Sequence, residues 1–356
     1  MRCAVIMAGG AGVRLWPLSR QGRPKQLLRL FNGKSLLRQS YERVAAVLDP
    51  GAISVITTEN HIPAVAKEIP ELSPENLFGE PVGRDTANAV ALSAAIWKER
   101  DPDAVLGVFT ADHIITPIDR FRSAVDLAYR AAEEHSNFLI TLGIRPIRPD
   151  TQYGYIHRGA QLADGVYEVS RFIEKPSLAH TTEYVACGDY YWNSGMFAWK
   201  APTILKEIGQ RLPQTLAAVR AIAPAWGTRA GAEKLRGSYP GLLRISIDFA
   251  VMEHAKKLLV VPMDCQWVDV GSWPAFESVV SADKEGNVTV GGDVCHLASR
   301  GNVVVSEDKH LIATIGVDDL VIVHAGDATL ICKKRDAQSI KELVGKVNDN
   351  FGSRYA

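Results

Sequence analysis

Glycines cluster directly after the first apolar run of the chain, in the stretch Gly9–Gly12 that follows Cys3–Ala8. Glycine permits a tight turn and lets backbone N–H groups come close to an anion. Basic side chains, which bind phosphate well, follow within a few residues: Arg14, Arg20, Arg23 and Lys25. The pattern predicts a loop that binds the phosphates of a nucleoside triphosphate. The competing interpretations are a connector without a ligand and an ordinary solvated basic surface.

Two familiar glycine motifs do not fit this stretch. The dinucleotide fingerprint G-x-G-x-x-G would need glycine where the chain has Leu15. A P-loop ending at Gly33-Lys34-Ser35 would need glycine where the chain has Leu28. An oxidoreductase that binds a nicotinamide dinucleotide is therefore disfavoured.

Aspartates stand at the ends of two apolar runs. Asp112 follows Val108–Ala111, and Asp269 follows Trp267-Val268. Carboxylate oxygens are the ligands that Mg²⁺ prefers, usually one or two of them together with phosphates and water. If the two carboxylates face each other, they hold one Mg²⁺ between them, whereas a helix cap or a turn is the alternative for Asp112. A zinc site is disfavoured, because His113 has no second His or Cys at ligand spacing.

Polar residues that suit a sugar phosphate lie between these aspartates. Glutamate and asparagine each hold two hydrogen bonds and suit paired hydroxyls, so Glu174 and Asn193 are candidates, with Lys175 for the phosphate. A strand-end ion pair and a turn asparagine are the simpler alternatives. The stretch Glu80–Asn88 indicates only the beginning of a helix, with Asp85 or Thr86 as its cap.

The elements that must position these residues alternate between strand and helix in the first half of the chain. Continuous apolar runs of this length are typical of strands covered on both faces. We expect an α/β fold with a Rossmann-like mixed, mostly parallel sheet. The predicted strands are Cys3–Ala8, Ile53–Thr57, Ala104–Phe109 and Phe138–Ile144, and the predicted helices are Leu36–Leu48, Thr86–Arg100 and Phe121–Glu134.

The pattern changes twice further along. Residues 152–269 mix strands at Tyr155–Arg158, Val166–Ile173 and Val260–Val270 with a helical region, Pro202–Arg236, that Pro213 and Pro224 break. After residue 281 short strands follow one another closely, separated by Gly or Asp turns. We expect one domain at residues 1–281 and a small all-β module at 282–356. The module's strands are Asn287–Val290, Asn302–Val305, Leu311–Ile315, Leu320–Val323 and Thr329–Cys332, with a closing helix at Ala337–Val347.

Composition narrows the class of protein. The 356 residues include 40 Lys plus Arg and 40 Asp plus Glu, without the basic excess of nucleic-acid-binding proteins. No apolar run approaches the roughly 20 residues that span a bilayer, and the beginning is not typical of a signal peptide. Five scattered cysteines without C-x-x-C spacing predict neither disulfides nor zinc. We expect a cytoplasmic protein with no nucleic-acid or membrane partner.

The ordered series of motifs resembles the sugar-nucleotide pyrophosphorylase superfamily, and more narrowly the mannose-1-phosphate guanylyltransferases. The motifs are GGxGxRLWPLSR, RPKQ, EPxGRxTA, TADH, FxEKP, WNSGMF and DVGSW, spread over residues 1–335. The resemblance implies a nucleotidyltransferase domain followed by a small left-handed β-helix module. It also implies the conversion of GTP and mannose 1-phosphate to GDP-mannose and pyrophosphate, with Mg²⁺.

The resemblance also implies roles for individual residues. Arg14 and Lys25 would face the phosphates as catalytic residues, with Asp112 and Asp269 as metal ligands. The nucleotide would contact Ala8, Gly9, Gly10, Ala11, Gly12, Val13, Arg14, Glu80, Pro81, Gly83 and Asp85. The sugar phosphate would contact Asp112, Gly154, Tyr155, Glu174, Lys175 and Asn193.

Two positions depart from the usual pattern of these relatives. Val13 stands where many have threonine, so a hydroxyl contact is lost while the backbone N–H remains. Asp85 stands where many have asparagine, and it either pairs with the N–H groups of guanine or caps the following helix. The isomerase domain of longer relatives is absent from this sequence, so we do not expect isomerase activity.

The chemistry expected is in-line attack of the sugar phosphate on the α-phosphorus of GTP, without a covalent enzyme intermediate. The main alternative is a relative that uses another base or sugar, such as a glucose-1-phosphate thymidylyl- or uridylyltransferase; Trp16 and the WNSGMF motif favour the guanylyl branch. A catalytically silent regulatory relative is disfavoured, because Arg14, Lys25 and both aspartates are present. Exposed strand edges in the β module predict a homodimer.

Overall fold

Strands from residues 2–262 form a nine-stranded sheet in the computed structural model, which describes residues 1–10 and 12–355. Strands β5 and β11 pair with each other, and the others follow the order β3-β2-β1-β4-β9-β6-β10-β8-β7. All sheet strands except β8 and β9 run in one direction, which confirms the predicted mixed, mostly parallel α/β fold. The strands are β1 (Arg2–Met7), β2 (Ile53–Thr58), β3 (Leu77–Glu80), β4 (Val105–Thr110), β5 (His113–Thr116), β6 (Leu139–Ile144), β7 (Tyr155–Ala163), β8 (Val166–Ile173), β9 (Tyr190–Lys200), β10 (Leu258–Pro262) and β11 (Gln266–Asp269).

Helices cover this sheet, and helix α3 (Thr86–Arg100), which begins within the stretch Glu80–Asn88, is almost wholly buried. Helix α3 is buried continuously from Ala87 to Trp97, and Trp97 Nε1 donates a hydrogen bond to Ser54 Oγ on β2 at 3.0 Å. Its bounds match the prediction. The helices are α1 (Leu36–Ala45), α2 (Ile62–Glu68), α3 (Thr86–Arg100), α4 (Ile118–Glu134), α5 (Leu178–Cys187), α6 (Ala201–Arg211), α7 (Pro213–Ile222), α8 (Arg229–Ser238), α9 (Ile247–Ala250) and α10 (Ile340–Phe351).

Proline breaks the helical region where the sequence predicts. Helix α7 begins at Pro213, where the missing N–H costs nothing, and Pro224 lies in the short turn after α7. The expected strand Val260–Val270 is wrong as a single element, because it divides into β10 and β11. The chain turns at residues 263–265, so β11 leaves the main sheet and pairs with β5.

The module after residue 281 is a short stack of parallel turns, which confirms the predicted β-helix-like architecture. Strands β12, β14 and β16 stack in parallel, β13 pairs with β15, and β17 returns antiparallel to β16. Two buried asparagines 15 residues apart link successive turns, since Asn302 Nδ2 donates to Asn287 Oδ1 at 3.0 Å. The strands are β12 (Val288–Val290), β13 (Asp293–Leu297), β14 (Val303–Ser306), β15 (Leu311–Ile315), β16 (Leu320–Ala325) and β17 (Ala328–Lys333).

By compactness the described chain forms two units, each assembled from separated stretches. The first unit comprises residues 1–9, 41–110 and 115–266, and the second comprises 10–40, 111–114 and 267–355. One hydrophobic cluster of the second unit joins Leu15 and Trp16 of the loop after β1 to Val303 and Val321 of the module. The division at residue 281 therefore stays a prediction about sequence modules. Among the described helices, none combines the length and apolarity that crossing a membrane requires.

Candidate functional site

The glycine loop of the second unit has a conformation that glycine alone adopts easily. Gly10 has φ +98° and Gly12 has φ 60°, both in the left-handed region. Gly12 leads into a single helical turn at Val13–Leu15, and a Cβ added to it would lie 2.5 Å from Lys25 Cβ. The predicted contact residue Ala11 lies outside the described residues. Two glycines of the loop are therefore required by backbone conformation, and Gly12 also by the close approach of Lys25.

The four basic residues after the loop fall into two groups. Arg20 forms an ion pair with Asp327, and Arg23 forms one with Glu307, so both fasten the loop stretch to the module within the second unit. Arg14 is exposed on the helical turn, and Lys25 forms an ion pair with Asp112. Of the predicted basic cluster, Arg14 and Lys25 are thus the residues placed to meet an anion.

Asp112 and Asp269 lie together, as the sequence predicts. One ligand atom from each, together with one from His113, all lie within 4.8 Å of one another. The backbone brings them there, because Val270 N donates to Asp112 O at 3.2 Å where β5 and β11 run side by side. The two acidic strand ends are 157 residues apart in sequence (269 − 112).

The donor set fits a hard divalent cation. Among the described residues, none forms a hydrogen bond with the buried Asp269 Oδ1, so this oxygen is an acceptor available to a positive group. Trp267 Nε1 donates a hydrogen bond to His113 Nδ1 at 3.1 Å, so Nε2 is the ring nitrogen that faces the two carboxylates. That Nε2 lies 3.8 Å from Asp112 Oδ1 and 3.9 Å from Asp269 Oδ1. The carboxylates, and not the imidazole, are therefore the candidate ligands.

Charge in this cluster keeps both partners of the Lys25–Asp112 pair ionised. Burial opposes ionisation of Asp112, but the charge of Lys25, the neighbouring His113 and the hydrogen bond from Lys25 together hold its pKa below the ordinary value. Burial likewise acts against the Lys25 ammonium, but Asp112 and Asp269 outweigh it, and the Lys25 pKa is raised. The second unit thus presents a fixed cation and two carboxylates beside the glycine loop.

Most of the predicted sugar-side residues also come together, in the first unit. Asn193 N donates to Gly154 O at 2.8 Å, and a Cβ on Gly154 would lie 2.4 Å from Glu174 Oε2. Lys175 Nζ donates to Glu174 Oε1 at 2.7 Å, while the buried Glu174 Oε2 has no hydrogen-bond partner in the described part of the chain. Tyr155 is fully buried, and its hydroxyl accepts from Asp150 N at 3.1 Å, so its ring belongs to the core and not to an accessible surface.

The stretch Glu80–Asp85 also lies in the first unit, and we name it the base-side motif because the resemblance assigns it to the nucleotide. Some of its residues are buried and others are exposed. Glu80 is 4% exposed, and its Oε1 accepts a hydrogen bond from the Tyr239 hydroxyl at 2.5 Å. Burial, and to a smaller extent the charge of Asp85, raise the Glu80 pKa to about 7 against the hydrogen bonds that it accepts. Asp85 caps helix α3 by accepting from Thr86 N at 2.8 Å, which is one of the two predicted roles. Pro81 and Gly83 remain at the surface.

In the second unit, a glycine loop, two basic side chains and two neighbouring carboxylates therefore lie within one short region. A family profile described as nucleotidyl transferase matches residues 3–286. The chain belongs to the nucleotidyl transferase family. A second profile, described as the mannose-phosphate isomerase/GMP-like β-helix domain, matches residues 292–347 of this nucleotidyl transferase.

Relatives of this nucleotidyl transferase narrow the family to that of the mannose-1-phosphate guanylyltransferases, which confirms the resemblance. An enzyme of that name from Klebsiella pneumoniae is 39% identical over 100% of this chain and 76% of its own length. Another from Escherichia coli K12 is 39% identical over 96% of this chain and 73% of its own. A crystal structure described as mannose-1-phosphate geranyltransferase from Thermus thermophilus superposes with a TM-score of 0.88, at 37% identity and with 98% and 99% of the two chains covered.

Sequence reasoning missed one segment that contacts both halves of the first unit's site in this nucleotidyl transferase. Residues 239–253, which we name the connector, run from the end of α8 to the turn after α9. On the base side, Thr86 Oγ1 accepts from Ile247 N at 2.8 Å, and Asn88 Nδ2 donates to Leu243 O at 2.8 Å. On the sugar side, Glu253 Oε1 accepts from Glu174 N at 2.8 Å. The only local signal was Ser246, a good helix cap, which indicates a helix but no chemistry.

Proposed function

We propose that this nucleotidyl transferase transfers GMP from GTP to mannose 1-phosphate, giving GDP-mannose and pyrophosphate. The observation that carries the proposal is the convergence of Asp112 and Asp269 beside Lys25 and the glycine loop, with a buried carboxylate oxygen left unpartnered. The printed names of the relatives supply the choice of guanine and mannose.

The reaction that we propose is a single in-line displacement. A phosphate oxygen of the sugar phosphate attacks the α-phosphorus of GTP, a new P–O bond forms, and the bond to the pyrophosphate oxygen breaks. The attacking oxygen is already anionic, so the step needs no general base. No covalent enzyme intermediate is required, which is consistent with the absence of a paired nucleophile and base among the site residues described above.

Charge repulsion is the main obstacle to this step, because a dianion must approach a nucleotide that carries roughly four negative charges. At about 4 Å and an effective dielectric near 20, one pair of like charges repels by roughly 4 kcal/mol. Arg14 and Lys25 reduce this repulsion: Lys25 from a fixed position, and Arg14 from an exposed one that suits the leaving pyrophosphate. Backbone N–H groups of the loop Gly9–Val13 hold the phosphates. Asp112 and Asp269 would hold Mg²⁺, which supplies further positive charge when bound.

The first unit would recognise the sugar of the sugar phosphate and the base of the nucleotide. Glu174 and Asn193 would bind sugar hydroxyls, with Gly154 leaving room beside them and Lys175 meeting the sugar's phosphate. Pro81 and Gly83 would contact the base. Glu80 would support these residues from the protein interior, where its carboxylate accepts a hydrogen bond from Tyr239. The Asp85 carboxylate is engaged with Thr86 N, so we assign it to capping α3 and leave the base contact to its neighbours.

We further propose that the enzyme works as a homodimer formed through the β module. Strands β13 and β15 form a two-stranded sheet, and three of its apolar side chains are more than half exposed: Leu297, Leu311 and Ile315. Monomers seldom leave such apolar surface uncovered.

A panel of nucleoside triphosphates against sugar 1-phosphates, with and without Mg²⁺, tests the proposed reaction. We expect pyrophosphate release to be fastest with GTP and mannose 1-phosphate and to need the divalent cation. Preference for dTTP or UTP with glucose 1-phosphate would instead support the alternative specificity. Nucleotide binding without turnover for any pair would indicate a regulatory protein.

A further inference from the structure

A partly buried carboxylate that the proposed reaction does not use lies against the sugar side of the site. Asp248, on the short helix α9 of the connector, accepts a hydrogen bond from Asn193 Nδ2 at 2.8 Å through its Oδ1. We propose that Asp248 is a positioning residue, which holds the Asn193 amide in one of its two flip orientations for the sugar phosphate. The inference rests on the proposed function, and it assigns to Asp248 no contact with the substrate itself.

Both ends of the Asn193 amide are fixed by this arrangement. Its oxygen accepts from Gly195 N at 3.1 Å, while its nitrogen donates to Asp248. An amide has two N–H donors and two oxygen lone pairs, so one donor and one acceptor remain for a ligand. Without Asp248 the nitrogen loses its partner, and rotation of the amide by 180° would exchange the donor and the acceptor that a hydroxyl meets.

Asp248 is itself held from two directions. Ser246 caps α9 by accepting from Phe249 N at 3.3 Å, and Ile247 N donates to Thr86 Oγ1 at the beginning of α3. The charged groups that act on Asp248 from the neighbouring strand end are Glu174 and Lys175. Burial and the charge of Glu174 raise the Asp248 pKa to about 6, against the hydrogen bond from Asn193. Above that pH the carboxylate can only accept, so it selects the nitrogen of Asn193.

The test compares Asp248→Ala with Asp248→Asn in full kinetics for both substrates. Loss of the acceptor in D248A should raise KM for mannose 1-phosphate by about 10- to 100-fold, because the partly buried Asn193 amide loses its partner and its fixed orientation. KM for GTP should change by less than about threefold. D248N keeps a side-chain oxygen that can accept, so KM should return to within about fivefold of wild type. Asp119→Asn, on an exposed carboxylate of α4, is the matched control and should not change either constant.

A double variant separates positioning from direct contact. If Asp248 acts through Asn193, then N193A/D248A should have the same KM for mannose 1-phosphate as N193A alone. A further loss of about tenfold or more in the double variant would overturn the inference, since Asp248 would then act on the substrate by another route. Equal KM increases for GTP and the sugar phosphate in D248A would overturn it as well.

Thermal unfolding of D248A and turnover of the wild type distinguish a loss of folding, or a wrong substrate, from a loss of positioning. Thermal unfolding of D248A comes first, and if that chain does not melt cooperatively, Asp248→Ser replaces it, because the shorter side chain cannot span the 2.8 Å contact. Wild-type turnover with GTP and mannose 1-phosphate is measured alongside. A wild-type chain that is active only on another sugar phosphate would refute the proposed substrate while Asp248 is tested on that sugar. D248A with wild-type kinetics would overturn the inference alone.

Discussion

Lys25 packs so closely against Gly12 that a Cβ built on the glycine would lie 2.5 Å from Lys25 Cβ. The same lysine forms the ion pair with Asp112, so the glycine loop, the fixed cation and one candidate metal ligand depend on a single close approach. The Lys25 ammonium therefore keeps its position only while the loop has no side chain at Gly12.

Gly12→Ala should therefore damage the site by displacing Lys25. Alanine would meet both the left-handed backbone at φ 60° and a contact that real Cβ atoms do not make. We expect KM for GTP to rise by about tenfold or more and the free energy of unfolding to fall by about 1–3 kcal/mol. Gly22→Ala, in the same stretch with open space around its Cβ, is the control. Wild-type kinetics for G12A would show that the loop adjusts without moving Lys25.

Removal of either aspartate should abolish the Mg²⁺-dependent turnover. Asp112→Ala and Asp269→Ala each remove one of the two carboxylates, and we expect turnover to fall by at least about 10³-fold in either. Far-UV circular dichroism should remain that of the wild type. Binding of Mn²⁺, followed by its electron paramagnetic resonance signal in the presence of GTP, should weaken in both variants. Normal activity in one of them would exclude that residue from the metal site.

Arg14 and Arg20 should differ sharply, although the sequence alone cannot tell them apart. Arg14→Ala should lower kcat by about 10²-fold or more, because in the proposed reaction it removes a charge that stabilises the leaving pyrophosphate. Arg20→Ala loses an exposed ion pair with Asp327, which is worth at most about 1 kcal/mol, and should leave kcat unchanged. If R14A raised only the KM for GTP, Arg14 would contribute to binding and not to the transition state.

Glu80 should make stability depend on pH. Its pKa is about 7 in the folded chain against an ordinary 4.5, so the folded state holds a proton that the unfolded state releases first. The folded state is therefore favoured most below pH 4.5, and this contribution is lost as the pH rises to 7. Glu80→Gln removes the titration, so relative to wild type it should gain on the order of 3 kcal/mol between pH 4.5 and pH 8. Urea unfolding of both chains at several pH values measures the difference, and a constant difference would contradict the raised pKa.

The exposed face of β13 and β15 should determine the oligomeric state. Leu297 and Ile315 are directly paired across these strands and are 61% and 69% exposed. Leu297→Lys should convert the proposed dimer to a monomer in light scattering after size-exclusion chromatography, because it places a charge in an apolar contact. Leu178→Lys, at a similarly exposed leucine of the first unit, should leave the dimer intact. A wild-type chain that elutes as a monomer at micromolar concentration would refute the dimer.

The sequence allowed prediction of site residues at strand ends. It did not allow prediction of ion pairs between residues that are far apart in the chain. Asp112 and Asp269 each follow an apolar run, and adjacent strand ends bring such side chains together. Arg20 and Arg23 look like Arg14 in the sequence, since their partners Asp327 and Glu307 lie in the module at the other end of the chain. Strand β13 was missed because it lacks the continuous apolar run by which the other strands of the module were predicted, and none of its five residues is fully buried.

The hydrogen-bond partner of Asn193 could not be predicted from the sequence either. Asn193 was predictable as a hydroxyl-binding residue, but nothing in the sequence indicates that its amide is held by Asp248, 55 residues further on. The carboxylate stands in a short segment whose local pattern indicates only a helix cap. Hydrogen-bond partners of this kind are set by tertiary packing, so the structure was needed to find them.

The discontinuous second unit has a consequence for how the chain matures as it leaves the ribosome. Leu15, Trp16 and Phe31 are synthesised early, yet they bury themselves with Phe276, Val303 and Val321, which emerge about 250 or more residues later. Until then these early side chains lack the later members of their hydrophobic cluster. A nascent chain stalled before the module is complete should consequently expose that segment to proteases, even where the nine-stranded sheet has already formed.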